Sequence, residues 1–152
     1  MSDPVSFESV TPRLGLPLLF AGQAQKEVFV NEALAILDGI AHAAVEGELA
    51  SPPAAPADGQ AWLVGAGPGG EWAGRAGQVA LRQSGQWLFL PPRDGLKVLD
   101  RSTGQDRRCV GGAWLTPSVP AAPSGGAVID TQARAALAAL VVALRQAGIF
   151  PL

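Results

Sequence analysis

Gln23, Gln25, Lys26, Glu27, Asn31 and Glu32 fall within ten positions of the string PLLFAGQAQKEVFVNEALAILDG, residues 17 to 39. A lysine beside a glutamate is a pair that could move protons. Neighbours in a helix do not face each other, however, and no Ser, Cys or His stands within a turn of Lys26 and Glu27 to serve as nucleophile or base. The string therefore reads as the start of a helix or a docking surface, with Gln23, Gln25, Lys26, Glu27 and Asn31 as contact residues. Glu71 and Asp94 are the carboxylates to weigh as a glycoside-cleaving pair, which requires two facing carboxyl groups; the sequence gives no sign that they face each other. One cysteine, Cys109, cannot close an internal disulfide, and one histidine, His42, leaves no His and Cys set for zinc. No catalytic residue, cofactor site or metal site is expected, and the chain is read as a non-enzyme.

Tryptophan offers a different chemistry. Trp62, Trp72, Trp87 and Trp114 all lie between residues 59 and 116, and the chain has no tyrosine. An exposed indole face stacks on the C–H groups of a sugar, whereas a buried one is the commoner use of so large an apolar group. Trp72, set between GPGGE and AGRAG, reads as exposed. Trp72 and Trp114 are thus the possible glycan contacts, with Asp94 and Gln86 as polar neighbours. A carbohydrate-binding module is the alternative that follows.

The elements that must position these residues differ along the chain. Residues 1–22, with Pro4, Pro12 and Pro17, form an extended arm whose Phe7, Leu14, Leu16, Leu18, Leu19 and Phe20 need cover, on this subunit or, the favoured reading, on a neighbour. Residues 23–45 form an amphipathic helix. Val30, Leu34, Leu37, Ala41 and Ala44, widened by Ala33, Ile36 and Ile40, make its apolar stripe, and Lys26, Glu27, Asn31, Glu32, Asp38 and His42 take the other side. SPPAAPADG ends the helix in a Pro-rich linker, 46–58. Residues 59–116 carry short Val-, Leu-, Trp- and Phe-rich runs between glycine turns, which predicts a small antiparallel β domain of six or seven strands. Ser84-Gly85 and Gly111-Gly112 suit two-residue hairpin turns, and RSTGQ at 101–105 a longer one. A second linker, 117–128, leads to a helix at 129–148 that is apolar almost all round, with Leu137, Leu140, Val141 and Leu144 as the oligomerisation seam. The fold class is α+β.

Composition narrows the partners. With 152 residues, 48% of them hydrophobic, the chain can bury one real core. A net charge of −2 with 11 scattered Lys and Arg leaves no basic stripe for nucleic acid. There is no basic and apolar leader and no run long enough to span a membrane, so neither export by the ordinary route nor insertion is expected.

The strings TPRLGLPLLFAGQAQKEVFVNEALAILDGI, SPPAAPADGQAWLVGAG and GEWAGRAGQVALRQSGQWLFLPPRDGLKVL resemble, over residues 11 to 100, a family of small structural proteins of prophages and gene transfer agents of alphaproteobacteria. Phe29 and Val30 stand where that family's pattern has Thr-His. The terminal helix is similar to those that assemble phage fibres. The resemblance implies a head spike or fibre base in a virion-like particle, built in five or three copies and released by lysis. It would join a capsid or other particle protein, through the AGQAQKE string, to a fibre protein that reaches the recipient's capsular polysaccharide.

Overall fold

The structure is a computed structural model that describes residues 9–128 and 130–152. The first eight residues of the expected arm, and residue 129 at the expected start of the terminal helix, lie outside the described residues. Helix α1 spans Lys26–Ala41. It is shorter than the 23–45 expected because the chain turns to strand at Ala44.

Asp38 determines how α1 sits. Its carboxylate is completely buried and accepts the Thr11 hydroxyl at 2.7 Å and the backbone N–H groups of Arg13 at 3.0 Å and Leu14 at 2.7 Å. Thr11 in turn accepts from the Leu16 N–H at 2.9 Å, closing a tight turn in the arm. Arg13 continues the junction: its guanidinium donates to the carbonyls of Gly39 at 3.0 Å and His42 at 3.3 Å, to Ala44 at 2.9 Å and to Gly59 at 2.6 Å. A cation on the unpaired carbonyls of the helix end is favourable there, and the same group ties that end to the β body. Burial, then the nearby Arg101, lowers the Arg13 pKa, with Asp38 and Glu46 acting against them. Asn31 holds the arm further along, its amide bonding both the N–H and the carbonyl of Leu19 at 2.8 and 3.0 Å. The described part of the arm, which was expected on a neighbour, is therefore fastened to its own subunit.

This junction sets which side of α1 faces the body. Ala35, Asp38 and Gly39 are its buried residues, while Phe29 is 76% exposed and Leu37 52%, with Val30, Ala33 and Ile40 also exposed. Phe29, Val30, Ala33, Leu37 and Ile40 face outward, whereas Leu34 and Ile36 of the expected stripe are half-buried, Ile36 against the main core, and Asn31 and Asp38 face inward. Gly39 permits the close approach to the sheet, since a Cβ there would lie 2.6 Å from a Leu81 methyl.

Eight strands follow, six of them within residues 59–116 and two more contributed by residues 44–49. They are β1 (Ala44–Val45), β2 (Glu48–Leu49), β3 (Ala61–Val64), β4 (Val79–Gln83), β5 (Gln86–Leu90), β6 (Lys97–Asp100), β7 (Gln105–Val110) and β8 (Ala113–Leu115). Two four-stranded sheets result, in the orders β2-β3-β4-β5 and β1-β6-β7-β8. Each is an antiparallel meander carrying one short parallel strand at its edge, β2 on β3 and β1 on β6, so the sheets are mixed rather than wholly antiparallel. Ser84-Gly85 and Gly111-Gly112 have positive φ at both turn residues, as two-residue hairpins of this twist demand.

Strand alternation sorts the core. Val45, Ala61, Leu63, Val79, Leu81, Leu90 and Val98 fill the main core, joined by Ile36 of α1 and by Trp114. The other face of β3 and β4 buries Trp62, Val64 and Ala80 with Trp72, flanked by Trp87 and Phe89. Ala80, opposite both Trp62 and Phe89 in register, leaves room for these rings.

Helix α2 (Thr131–Gln146) starts on the Asp130 side chain, which accepts the Ala133 N–H at 2.8 Å. Its excursion leaves and rejoins the body at one residue. The fully buried Gln105 amide donates to Pro117 O at 2.6 Å and Ile149 O at 2.7 Å. Asp106 N–H donates to Gly148 O at 2.7 Å and Leu152 N–H to Thr103 O at 3.0 Å, and Phe150 is buried. The excursion is thus pinned to the body where it leaves, at Pro117, and just after the C-terminal end of α2, at residues 148–152.

Two outcomes follow. Asp38→Ala orphans three donors and lowers stability by about 3 kcal/mol, read as an earlier urea midpoint. Gln105→Ala removes the two carbonyl contacts, costs roughly 1–3 kcal/mol and makes residues 117–128 a faster site of limited proteolysis.

Candidate functional site

The AGQAQKE string is a backbone turn at the entry to α1. Gly22, Ala24 and Gln25 take left-handed φ values of 97°, 57° and 64°, and the turn delivers the chain into α1 at Lys26. The Glu27 carboxylate folds back to accept the Gly22 N–H at 3.1 Å. Backbone N–H groups, first its own and then that of Gly22, lower the Glu27 pKa below the usual carboxylate value. Gln25, the residue flanking the helix, makes no side-chain cap bond. Of the residues read as contacts, Glu27 and Asn31 are therefore engaged within the subunit. Gln23, Gln25 and Lys26 are exposed.

The two tryptophans named for glycan contact are placed unequally. Trp72, read as exposed, is fully buried, because the 3-10 turn Gly70–Trp72 folds the glycine-rich segment over the outer face of β3 to β5. Its ring packs edge-on to Trp87 with centroids 5.1 Å apart, and tilted to Trp62 at 6.4 Å. It has no free face on which a sugar could stack. Trp114 is half-buried and donates its indole N–H to Gly77 O at 2.8 Å. Glu71 accepts from the Trp87 indole at 3.1 Å and Asp94 from the Gly112 N–H at 3.2 Å, so each braces its own loop.

Both helices expose large apolar side chains. None of the 16 residues of α2 is buried. Leu137 is 50% and Leu140 54% exposed, while Val141 and Leu144 are half-buried. Residues 119–123 run beside the helix, leaving an apolar groove of about 580 Å³ lined by Val119, Pro120, Leu137, Val141, Leu144 and Phe150. The outward stripe of α1, Phe29, Ala33, Leu37 and Ile40 with Val30 beside it, is a second such face. The inward side of α1 is marked by Asn31, Ala35, Asp38 and Gly39, polar or small at positions i, i+4, i+7 and i+8, which makes a second coherent face.

No curated protein matches the chain. A family model described as a protein of unknown function, DUF2793, matches residues 30–115, from within α1 to the end of β8 and so all eight strands. The linker and α2 lie beyond the matched residues. Since the match spans more than half of the 152 residues, the chain belongs to the DUF2793 family.

Proposed function

We propose that this chain is a structural subunit of a phage-like particle, a gene transfer agent, where it acts as an oligomeric head spike or fibre base that anchors a receptor-binding fibre to the particle. The observation that carries this reading is α2, an apolar helix with no buried residue whose C-terminal end is tied to the body through Ile149. Fully burying a leucine is worth roughly 1.5–3 kcal/mol, so each half-exposed one on α2 recovers about 1 kcal/mol when covered. An exposed apolar helix of this kind is an assembly device. The resemblance of the AGQAQKE and NEAL strings to prophage and gene transfer agent proteins supplies the particle.

In this reading the two-sheet body is a spacer, with copies of itself, a capsid or other particle protein and a fibre protein as partners. The exposed Gln23, Gln25 and Lys26 form a polar rim at a contact. Recipient-cell polysaccharide is reached through the fibre. With Trp72 buried, direct glycan stacking has lost its main support.

Phage-like particles purified from the encoding bacterium should contain the chain in a fixed ratio to the capsid protein, measured by quantitative mass spectrometry. The double variant Leu137→Asp, Leu140→Asp, changed only at exposed positions, should fold yet be missing from those particles. Pure particles without the wild-type chain would refute the proposal.

A further inference from the structure

A sheet edge is a template for another strand, and proteins blunt such edges by keeping them short or charged. Three of the four edges here are short: β1 and β2 have two residues each and β8 has three. The fourth, β5, presents five residues, QWLFL, with no charge and no proline among them. We propose that this edge takes up an extended acidic segment of a partner protein as an added strand, whose carboxylates at alternate positions meet Arg75 and Arg82. The surface lies on the sheets and is independent of the role given to α2.

The backbone of β5 is set to receive it. Gln83 and Gln86 flank the two-residue turn and form a hydrogen-bonded pair in such a hairpin, so alternation gives the same to Leu81 with Leu88 and to Val79 with Leu90. The Arg82 N–H confirms this phase, because it turns away from β5 and donates to Gln60 O at 2.9 Å. The N–H and C=O groups of Trp87 and Phe89 therefore point off the edge. Among the described residues, no backbone hydrogen bond outside the sheet involves residues 86–90.

Side chains select the occupant. An added strand turns alternate residues to opposite faces. On one face it lies beside Leu88, which packs on the main core, so apolar residues suit it there. On the other it lies beside Trp87 and Phe89, where the Arg82 guanidinium sits 5.1 Å from the Trp87 ring centre and that of Arg75 4.8 Å from the Phe89 ring centre. Stacking holds each cation in place and leaves its N–H edge to a carboxylate. Among the described residues neither forms an ion pair, whereas Arg101 and Arg107 do. The carboxylates close by are already engaged: Glu71 accepts from the Trp87 indole at 3.1 Å, and Asp58 from the Gly85 N–H at 3.0 Å, at the hairpin turn. Trp87 and Phe89 stand two residues apart, so their cations match acidic side chains at positions i and i+2 of an incoming strand, about 7 Å from each other. A second copy of β5, added antiparallel, would instead bring two more guanidiniums to the same strip, with its Glu71 again held by its own Trp87. Complementarity of this kind chooses the partner.

A labelled peptide, Thr-Val-Glu-Val-Glu-Val-Thr, serves as the probe. Its fluorescence anisotropy is titrated with the full chain, and hydrogen exchange of the Trp87 and Phe89 amides is followed by NMR. The expected result is saturable binding that slows exchange at both amides. Replacing both glutamates of the peptide by glutamine should weaken binding about tenfold or more, and so should the double variant Arg75→Gln, Arg82→Gln, whose fold is verified by near-ultraviolet circular dichroism of the tryptophan cluster. A glutamine peptide that binds the wild type as well as the acidic one would overturn the inference. Binding that leaves the two amides unprotected would overturn it too, as would no binding at all. If those amides become protected with rising chain concentration and no peptide, the edge belongs to a second copy and the acidic segment is ruled out.

Discussion

The structure depends on one buried carboxylate. Asp38 lies wholly inside, and a buried charge is tolerable only when its oxygens are bonded. Its donors come from the arm, 24 to 27 residues earlier, through the Thr11 hydroxyl and the N–H groups of Arg13 and Leu14. Arm, helix and body therefore form together. Arg13 extends the same junction to the carbonyls of α1, β1 and the approach to β3. Once Asp38 points inward, helical geometry leaves Phe29, Ala33, Leu37 and Ile40 pointing out.

The same logic recurs at the other end of the chain. A single buried amide, Gln105, bonds the carbonyls where the α2 excursion departs and returns. In both places a polar side chain holds a non-repetitive segment against the body, and an apolar helix face remains in solvent. The Asp100 carboxylate, buried at the edge of β6, is bridged by Arg107 at 2.6 Å, and Arg107 also reaches Glu48 of β2 at 2.5 Å, so an ion pair links the two sheets where residues 44–49 cross between them. The large exposed apolar side chains of both helices are why assembly is the function proposed.

Some of this architecture was legible in the sequence. Glycine turns spaced along residues 59–116 mark the two meanders, and the alternation of β4 and β5 sorts Leu81 and Leu88 from Ala80 and Phe89. Periodicity located α1 but not its buried side, because an apolar stripe does not announce whether a distant arm can satisfy the polar face opposite. Strands of two residues, such as β1 and β2, are too short to carry a period. Trp72 was misread because its glycine-rich surroundings signal a surface loop, yet those glycines let the loop fold the ring inward. Gln105 sat at the end of a presumed hairpin loop, with nothing local to reveal that residues 117 and 149 converge on it. Of the contact residues, only tertiary structure separates Glu27 and Asn31, held within the subunit, from Gln23, Gln25 and Lys26.

The central claim is that the outward face of α2 is covered by neighbouring copies. Hydroxyl-radical footprinting of the wild-type chain across a range of concentrations tests it directly, by following oxidation of individual side chains. The account requires Leu137 and Leu140 of α2 to become protected together, along one concentration curve. Oxidation of both at a rate independent of concentration, up to the highest reached, would contradict it.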